Sequence, residues 1–256
     1  MLLRSIPRMS HTSKLFRNPL VLSFTFMALL PAAQSEGPAG LTTRALLFSD
    51  DFSRGLSNWT TELEAGGTVS ATNGAMTIDV PAGASVWFKP MLTGPVLIEY
   101  EATVMSKGGP NDRVSDLNCF WMARDSRSPA DIFGWKRSGK FADYNQLVTY
   151  YVGVGGNTNS TTRFRRYVGD PTIRPLRPGD DLRDAADLLV GNVSQKIVLV
   201  ADGNLIQFYR AGKKLFEMND PQPYTSGWFA IRTTHSHLVI RDFEVYRLTN
   251  APAPAH

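Results

Sequence analysis

From residue 46 onward the chain alternates apolar and polar positions in short runs. In PVLIEYEATV, Val96, Ile98, Tyr100 and Ala102 fall on one side of an extended backbone and Leu97, Glu99, Glu101 and Thr103 on the other, because successive side chains of a strand point to opposite faces. One face is expected to be packed and the other wet. Runs rich in Val, Ile, Thr, Tyr, Phe and Trp recur as ALLFSDDF, GTVSATNGAMTIDVP, ASVWFKPM, SDLNCFWMARD, QLVTYYVGVGG, STTRFRRYVG, QKIVLVADGNLIQFYRAGKKLFEM, SGWFAIRTTHS and HLVIRDFEVYRL. Gly, Pro, Asn and Asp clusters separate them, and no long stretch keeps a helical period. Turns are expected at Asn73-Gly74 and at Asp202-Gly203-Asn204, where hairpins call for a positive φ. Ten or more such strands predict an all-β fold, a two-sheet antiparallel β-sandwich. Two stretches break the rhythm: 125–143, with Pro129, Gly134 and Gly139, and 170–191, with Pro171, Pro175 and Pro178. Both read as long loops, and long loops in a compact domain tend to carry function.

The N-terminus follows another pattern. Arg4, Arg8, Lys14 and Arg17 precede the apolar run PLVLSFTFMALLPAA, which gives way to Gln34, Ser35 and Glu36. That is the layout of a signal peptide, its apolar run shorter than the roughly 20 residues that cross a bilayer. The expected organisation is a signal peptide at 1–35, a linker at 36–45, the sandwich domain at 46–248 and a disordered tail at 249–256. The expected location is secreted, or periplasmic in a bacterium, with no transmembrane segment after cleavage. An uncleaved N-terminal anchor is the competing reading, and it too puts the domain outside the cytoplasm.

Composition adds constraints. The 256 residues are 43% hydrophobic and 20% charged, an ordinary globular balance, and the length suits one sandwich. The formal net charge of +4 is matched by the four cations of the leader, so the remaining domain is close to neutral and nucleic acid is not implied. Basic residues concentrate locally, Arg163, Arg165 and Arg166 in TTRFRRY with Arg174, Arg177 and Arg183 soon after. Such a cluster suits an anionic ligand. Cys119 is the single cysteine, so no intrachain disulfide exists, and its apolar neighbours point to a buried, inert thiol. Sequons begin at Asn58, Asn159 and Asn192.

The opening SDDFSRGLSNW, the hairpin VADGNLIQFYRAGKKLF and the closing GWFAIRTTHSHLVIRDFEVYRL together resemble strands of the laminin-G-like and concanavalin-A-like domains of secreted carbohydrate-active proteins. The middle, VSDLNCFWMARD with SGKFADYNQLVTYYVGVGGNTNSTTRFRRY, is similar to an uncharacterised jelly-roll family found among polysaccharide-degrading proteins. The resemblance implies a jelly roll and a polysaccharide or oligosaccharide partner. It supplies no catalytic residues, and fold alone does not settle function.

Residues 116–166 mix aromatics with Asn, Asp and Arg, as saccharide recognition requires: aromatic faces stack on pyranose rings and polar groups orient on hydroxyls. Asn118, Trp121, Arg124, Lys140, Asp143, Asn157 and, further on, Arg232 are the candidate substrate-binding residues. Alternation puts Asn118 and Trp121 on different faces and Arg163 and Arg165 on the same one, where two guanidiniums suit a carboxylate. Packing roles for Trp121, Tyr150 and Tyr151 stand beside the binding role. A lyase acting on a uronate must neutralise the carboxylate, remove the adjacent proton and protonate the leaving oxygen. Arg163, Arg165 and Asn118 are the candidates for the first task, and Tyr150, Tyr144 or His237 for the proton transfers. A glycoside hydrolase instead needs two carboxyl groups, for which Glu99, Glu101 and Asp116 are the alternatives, together with Asp143. Glu-x-Asp-x-Glu is absent. A non-catalytic carbohydrate-binding module is a further alternative, as is a structural or adhesion domain. His235 and His237 have the spacing of paired ligands but no evident third partner, so no catalytic metal and no cofactor is expected. A structural calcium on Asp50 and Asp51 is compatible with the sequence.

Overall fold

The structure, a computed structural model, describes residues 43–249 except Arg174. The expected signal peptide, most of the expected linker, and the tail beyond residue 249 lie outside the described residues. The strands are β1 (Thr43–Asp50), β2 (Trp59–Leu63), β3 (Thr68–Thr72), β4 (Ala75–Phe88), β5 (Leu92–Thr93), β6 (Val96–Val104) and β7 (Leu117–Asp125). They continue with β8 (Leu147–Gly155), β9 (Thr161–Val168), β10 (Asp181–Leu182), β11 (Ser194–Asp202), β12 (Leu205–Arg210), β13 (Lys213–Asn219) and β14 (Ser226–Thr249). All pairings are antiparallel, in the order β10-β9-β8-β7-β14-β6-β11-β12-β13, with β1, β4 and β5 also on β14, and β2 and β3 on β4. The fold is the expected all-β sandwich of jelly-roll type. Among the described residues no helix is long and apolar enough to cross a membrane.

Two predicted breaks are absent. SGWFAIRTTHS and HLVIRDFEVYRL form one strand of 24 residues, and the two runs on either side of Pro81 form one of 14. The register between β14 and β4 shifts between Thr234 and Ser236, and His235 takes φ 46° there. A bulge bends a strand without ending it, so β14 pairs with β7 through Trp228–Arg232 and then passes to β6 through Leu238–Arg247. This single strand links the layers.

The alternating residues of both layers meet in one core. Trp121, Tyr150, Val152, Phe164 and Ile231 from one side pack in a cluster with Ile98, Tyr100, Ile197, Leu199 and Phe208 from the other. Cys119 lies in this core, and burial pushes its thiol up to about 12, against the smaller opposing effect of hydrogen bonds from Val152 and Tyr100. A thiol is reactive as its thiolate. Cys119 is therefore expected to resist a maleimide or disulfide reagent at pH 8 in the native protein and to react only after denaturant is added; rapid native labelling, read by mass, would contradict this packing.

A second apolar cluster sits on the outer face of the β4-β14-β7-β8-β9 layer. Trp87, Phe120, Tyr151, Trp228 and Ala230 are covered there by Ile132 and Tyr144 from the loop 126–146, with Phe133 and Phe141 packed alongside. Two short 3-10 turns, Ile132–Gly134 and Phe141–Tyr144, give this loop its shape, and Asp131 caps the first by accepting from the Phe133 amide. The expectation of a long loop at 125–143 thus meets a packed one. Arg137 pins it: fully buried, it pairs with Glu62 at 2.9 Å and Asp125 at 3.0 Å and donates to the Ile132 carbonyl. Trp87 Nε1 and the Tyr144 hydroxyl also donate to Glu62. Buried charges persist in a core when paired and hydrogen-bonded in this way.

Candidate functional site

Strand register aligns one row of residues on that outer face: Ser85 of β4, Arg232 of β14, Asn118 of β7, Gly153 of β8, Arg163 of β9 and Asp181 of β10. The neighbouring row is Trp87, Ala230, Phe120, Tyr151 and Arg165. The loop 126–146 covers part of this surface, and what remains is a cleft of about 470 Å³. Arg113, Asp116, Asn118, Phe141, Tyr151, Gly153, Asn157, Thr161, Arg163, Arg165, Tyr167 and Arg232 are among the residues that line it. Its volume is in the usual range for a small-molecule site.

Arg232 is the unusual group. It is 1% exposed; its Nη1 donates to Ser85 Oγ at 3.1 Å and to the Gly139 carbonyl at 3.0 Å, and the rings of Phe141 and Tyr144 lie 4.9 and 4.6 Å from its guanidinium carbon. Its Nε has no hydrogen-bond partner and, among the described residues, it makes no ion pair. A buried guanidinium without a carboxylate is costly. The other arginines of this face are matched: Arg163 grips Asp181 through two bonds of 2.9 and 3.0 Å, and Arg113 meets Asp116 at 2.8 Å.

Beside Arg232 in the row, Asn118 is 4% exposed and its Oδ1 has no partner. Gly153 makes room for it. A Cβ there would lie 3.0 Å from the Tyr151 hydroxyl and 3.2 Å from Asn118 Oδ1, so any side chain in place of glycine would crowd both polar atoms. Burial raises the Tyr151 phenol well above its ordinary pKa, with Tyr167 adding and Arg232 opposing. Tyr151 is thus a neutral hydroxyl, able to donate a proton or hydrogen bond. Asp116 is the one carboxylate among the described residues that line the cleft, and it also accepts from Ser115 Oγ.

Of the residues expected from the sequence, Asp116, Asn118, Asn157, Arg163, Arg165 and Arg232 come together here. Arg163 and Arg165 do share the face, but Asp181 on the next strand already occupies Arg163. The rest are elsewhere. Trp121 and Tyr150 point into the core by strand alternation, and the Tyr150 hydroxyl donates to Asp220 at 2.6 Å. Tyr144 is buried on the inner side of the loop, its hydroxyl donating to Glu62. His237 faces Asp112, its Nδ1 at 2.7 Å from the carboxylate, while His235 is the bulged residue and makes no pair with it. Arg124 donates to the carbonyls of Ser226 and Pro129; Asp143 accepts from the Ser138 amide and hydroxyl, and Lys140 is exposed on the loop. Glu99 pairs with Lys196 and Arg44, and Glu101 accepts from Ser194, both on β6 in the opposite layer. They form no carboxylate pair at the cleft. Asp50 accepts from the Phe52 amide, Asn58 and Trp59, and Asp51 Oδ1 accepts from the Ser53 amide and hydroxyl; no group of three or more His, Cys, Asp or Glu among the described residues is placed to hold a metal. Tyr167, Phe141, Arg113 and Gly153 were missed, and Tyr151, weighed between packing and binding, lines the cleft. Alternation from Tyr150 puts Tyr151 on the outer face, but only register reveals what stands beside it.

Residues 78–243 match the family described as Domain of unknown function (DUF6250). The chain belongs to this family. The matched span contains every cleft residue named above. Similar solved structures include a protein of unknown function with galectin-like fold from Bacillus subtilis, 17% identical over 81% of this chain and 98% of that one, with a TM-score of 0.61. The endo-beta-1,3-glucanase of Pyrococcus furiosus is 11% identical over 81% and 96%, TM-score 0.53. The beta-agarase B of Zobellia galactanivorans is 10% identical over 86% and 97%, TM-score 0.51. These likenesses show the jelly-roll fold that the strand order describes. No curated protein sequence matches the chain.

Proposed function

We propose that this family member is an exported carbohydrate-active protein that holds an acidic saccharide in the cleft and cleaves it by β-elimination. The unpaired, buried guanidinium of Arg232 beside the unpartnered Oδ1 of Asn118 carries the reading. A ligand carboxylate supplies the counter-charge that Arg232 lacks, and saccharide hydroxyls supply the donor that Asn118 lacks. The N-terminal pattern of cations and apolar residues supports export. The glucanase and agarase among the similar folds support a saccharide in preference to other carboxylates.

In elimination the carboxylate held by Arg232 makes the adjacent C–H acidic, a base takes that proton, and the C–O bond to the leaving sugar breaks as its oxygen is protonated. Tyr151, neutral and facing the cleft, is the proton donor; Asp116 is the base available there. Hydrolysis by two carboxyl groups finds one carboxylate in the cleft and is not supported. One observation favours a second reading: Asp116 is engaged by Arg113, which suits a binding module that performs no chemistry.

Incubation with acidic and neutral polysaccharides, following unsaturated-uronate absorbance and reducing ends, tests the proposal. Both signals are expected on an acidic glycan. Reducing ends without absorbance would overturn elimination, and silence with retention of one glycan would leave the binding reading. Tyr151→Phe, which removes one oxygen from a packed ring, is expected to lower turnover about 100-fold or more, the range of a lost general acid, while the Kd for the same glycan stays within about threefold.

A further inference from the structure

We infer that the cleft is closed at one end and takes the terminus of a saccharide chain, not an internal segment; this rests on the saccharide reading above. The row of residues crosses the strands from Asp181 on β10 to Ser85 on β4. At the β4 end the loop 126–146 sits directly on the sheet. Gly83 and Gly139 allow this contact between backbones: a Cβ on Gly83 would fall 2.4 Å from the Gly139 carbonyl oxygen, and one on Gly139 2.4 Å from the Glu64 amide. Gly139 also has φ +90°, where a side chain is strained. Its carbonyl accepts from Arg232, and Phe141 and Tyr144 lie over the guanidinium.

No room for another sugar exists beyond Arg232 on this side. The flank toward the next row is covered as well, since Tyr144 stacks on Phe120 at 5.4 Å and Trp87 is fully buried beside them. The barrier is fixed in place by the buried pairs of Arg137 with Asp125 and Glu62. At the opposite end the row finishes in Arg163 and Asp181, each 25% exposed, with Arg183, 62% exposed, paired to Asp181. A chain that enters from β10 therefore stops at this wall, and the carboxylate that reaches Arg232 belongs to its last residue.

Stoichiometry separates the two modes whether or not cleavage occurs. Alginate and polygalacturonate, each as trimer, dodecamer and parent polymer, are titrated against the protein while complex mass is followed by light scattering. One protein per chain is expected at every length, with trimer and dodecamer affinities per chain within about threefold of one another, because added residues create no added sites. Where cleavage occurs, the first products are of one small size. Several copies on one dodecamer or polymer, or a ladder of early products, would overturn chain-end binding while leaving saccharide binding intact. Failure of every probe to bind would overturn the acidic-saccharide reading and this inference with it.

Discussion

Replacing Arg232 by methionine is expected to weaken binding of the acidic saccharide by about 30-fold or more while leaving the protein folded. Truncating one partner of a desolvated, hydrogen-bonded charge pair typically costs about 2–5 kcal/mol in affinity, and Arg232 is the one cleft arginine at 1% exposure. Stability is expected to move little because two effects oppose. Methionine deprives Ser85 Oγ and the Gly139 carbonyl of their donor, a cost of about 1–3 kcal/mol for each group left unsatisfied. It also removes a buried charge that has no ion-pair partner among the described residues, a change of similar size and opposite sign. Arg232→Lys keeps the charge but loses the planar fork and the stacking on Phe141 and Tyr144, and is expected to recover part of the affinity. Titration of each variant alongside thermal unfolding checks this. A large fall in melting temperature for Arg232→Met with affinity unchanged would assign Arg232 to the fold alone.

The opposite balance is expected at Arg137. Arg137→Met leaves Glu62 and Asp125 buried with a cation removed, and Asp125 is itself fully buried. Breaking a buried pair in this way costs about 3–5 kcal/mol, a large part of a domain's net stability. The loss will also depend on pH. Burial alone would raise the Asp125 carboxyl, but hydrogen bonds from Arg127 and the charges of Arg127 and Arg137 outweigh it and hold the group below its ordinary value of 3.8. A carboxylate lowered in the folded state adds stability above its unfolded pKa, and that stability is lost as pH falls through the folded value. Arg137→Met removes part of the lowering, so acid unfolding should begin at a higher pH than in the native chain. Urea midpoints between pH 7 and pH 3 measure both effects; equal midpoints for variant and native protein across that range would show that the pairs contribute no net stability.

These two arginines illustrate how much a strand pattern reveals. Both have the same side chain, and nothing local to KRSGK or AIRTT says that one meets two carboxylates and the other none. Alternation correctly placed Asn118 away from Trp121 and kept Arg163 with Arg165, because the period of two is a property of the extended backbone. Neighbours such as Tyr150 and Tyr151 must also take opposite faces, yet the choice between them as the cleft tyrosine depended on which face was the core. Glu99 and Glu101 share a face as alternation requires, but that face belongs to the other layer, and it is not the wet one expected, since Leu97 and Glu99 on it are buried.

The sequence by itself determined the all-β class, the turns at Asn73-Gly74 and Asp202-Gly203, and the division of each strand's residues between two faces, since these follow from local backbone preference and apolar periodicity. Only the tertiary structure decided that β14 spans both layers through a bulge, that Asp181 occupies Arg163, and that a loop seated on Gly83 and Gly139 shuts one end of the cleft. Those are matters of register and of contacts between segments far apart in the chain. A one-residue shift would send each of these side chains to the opposite face.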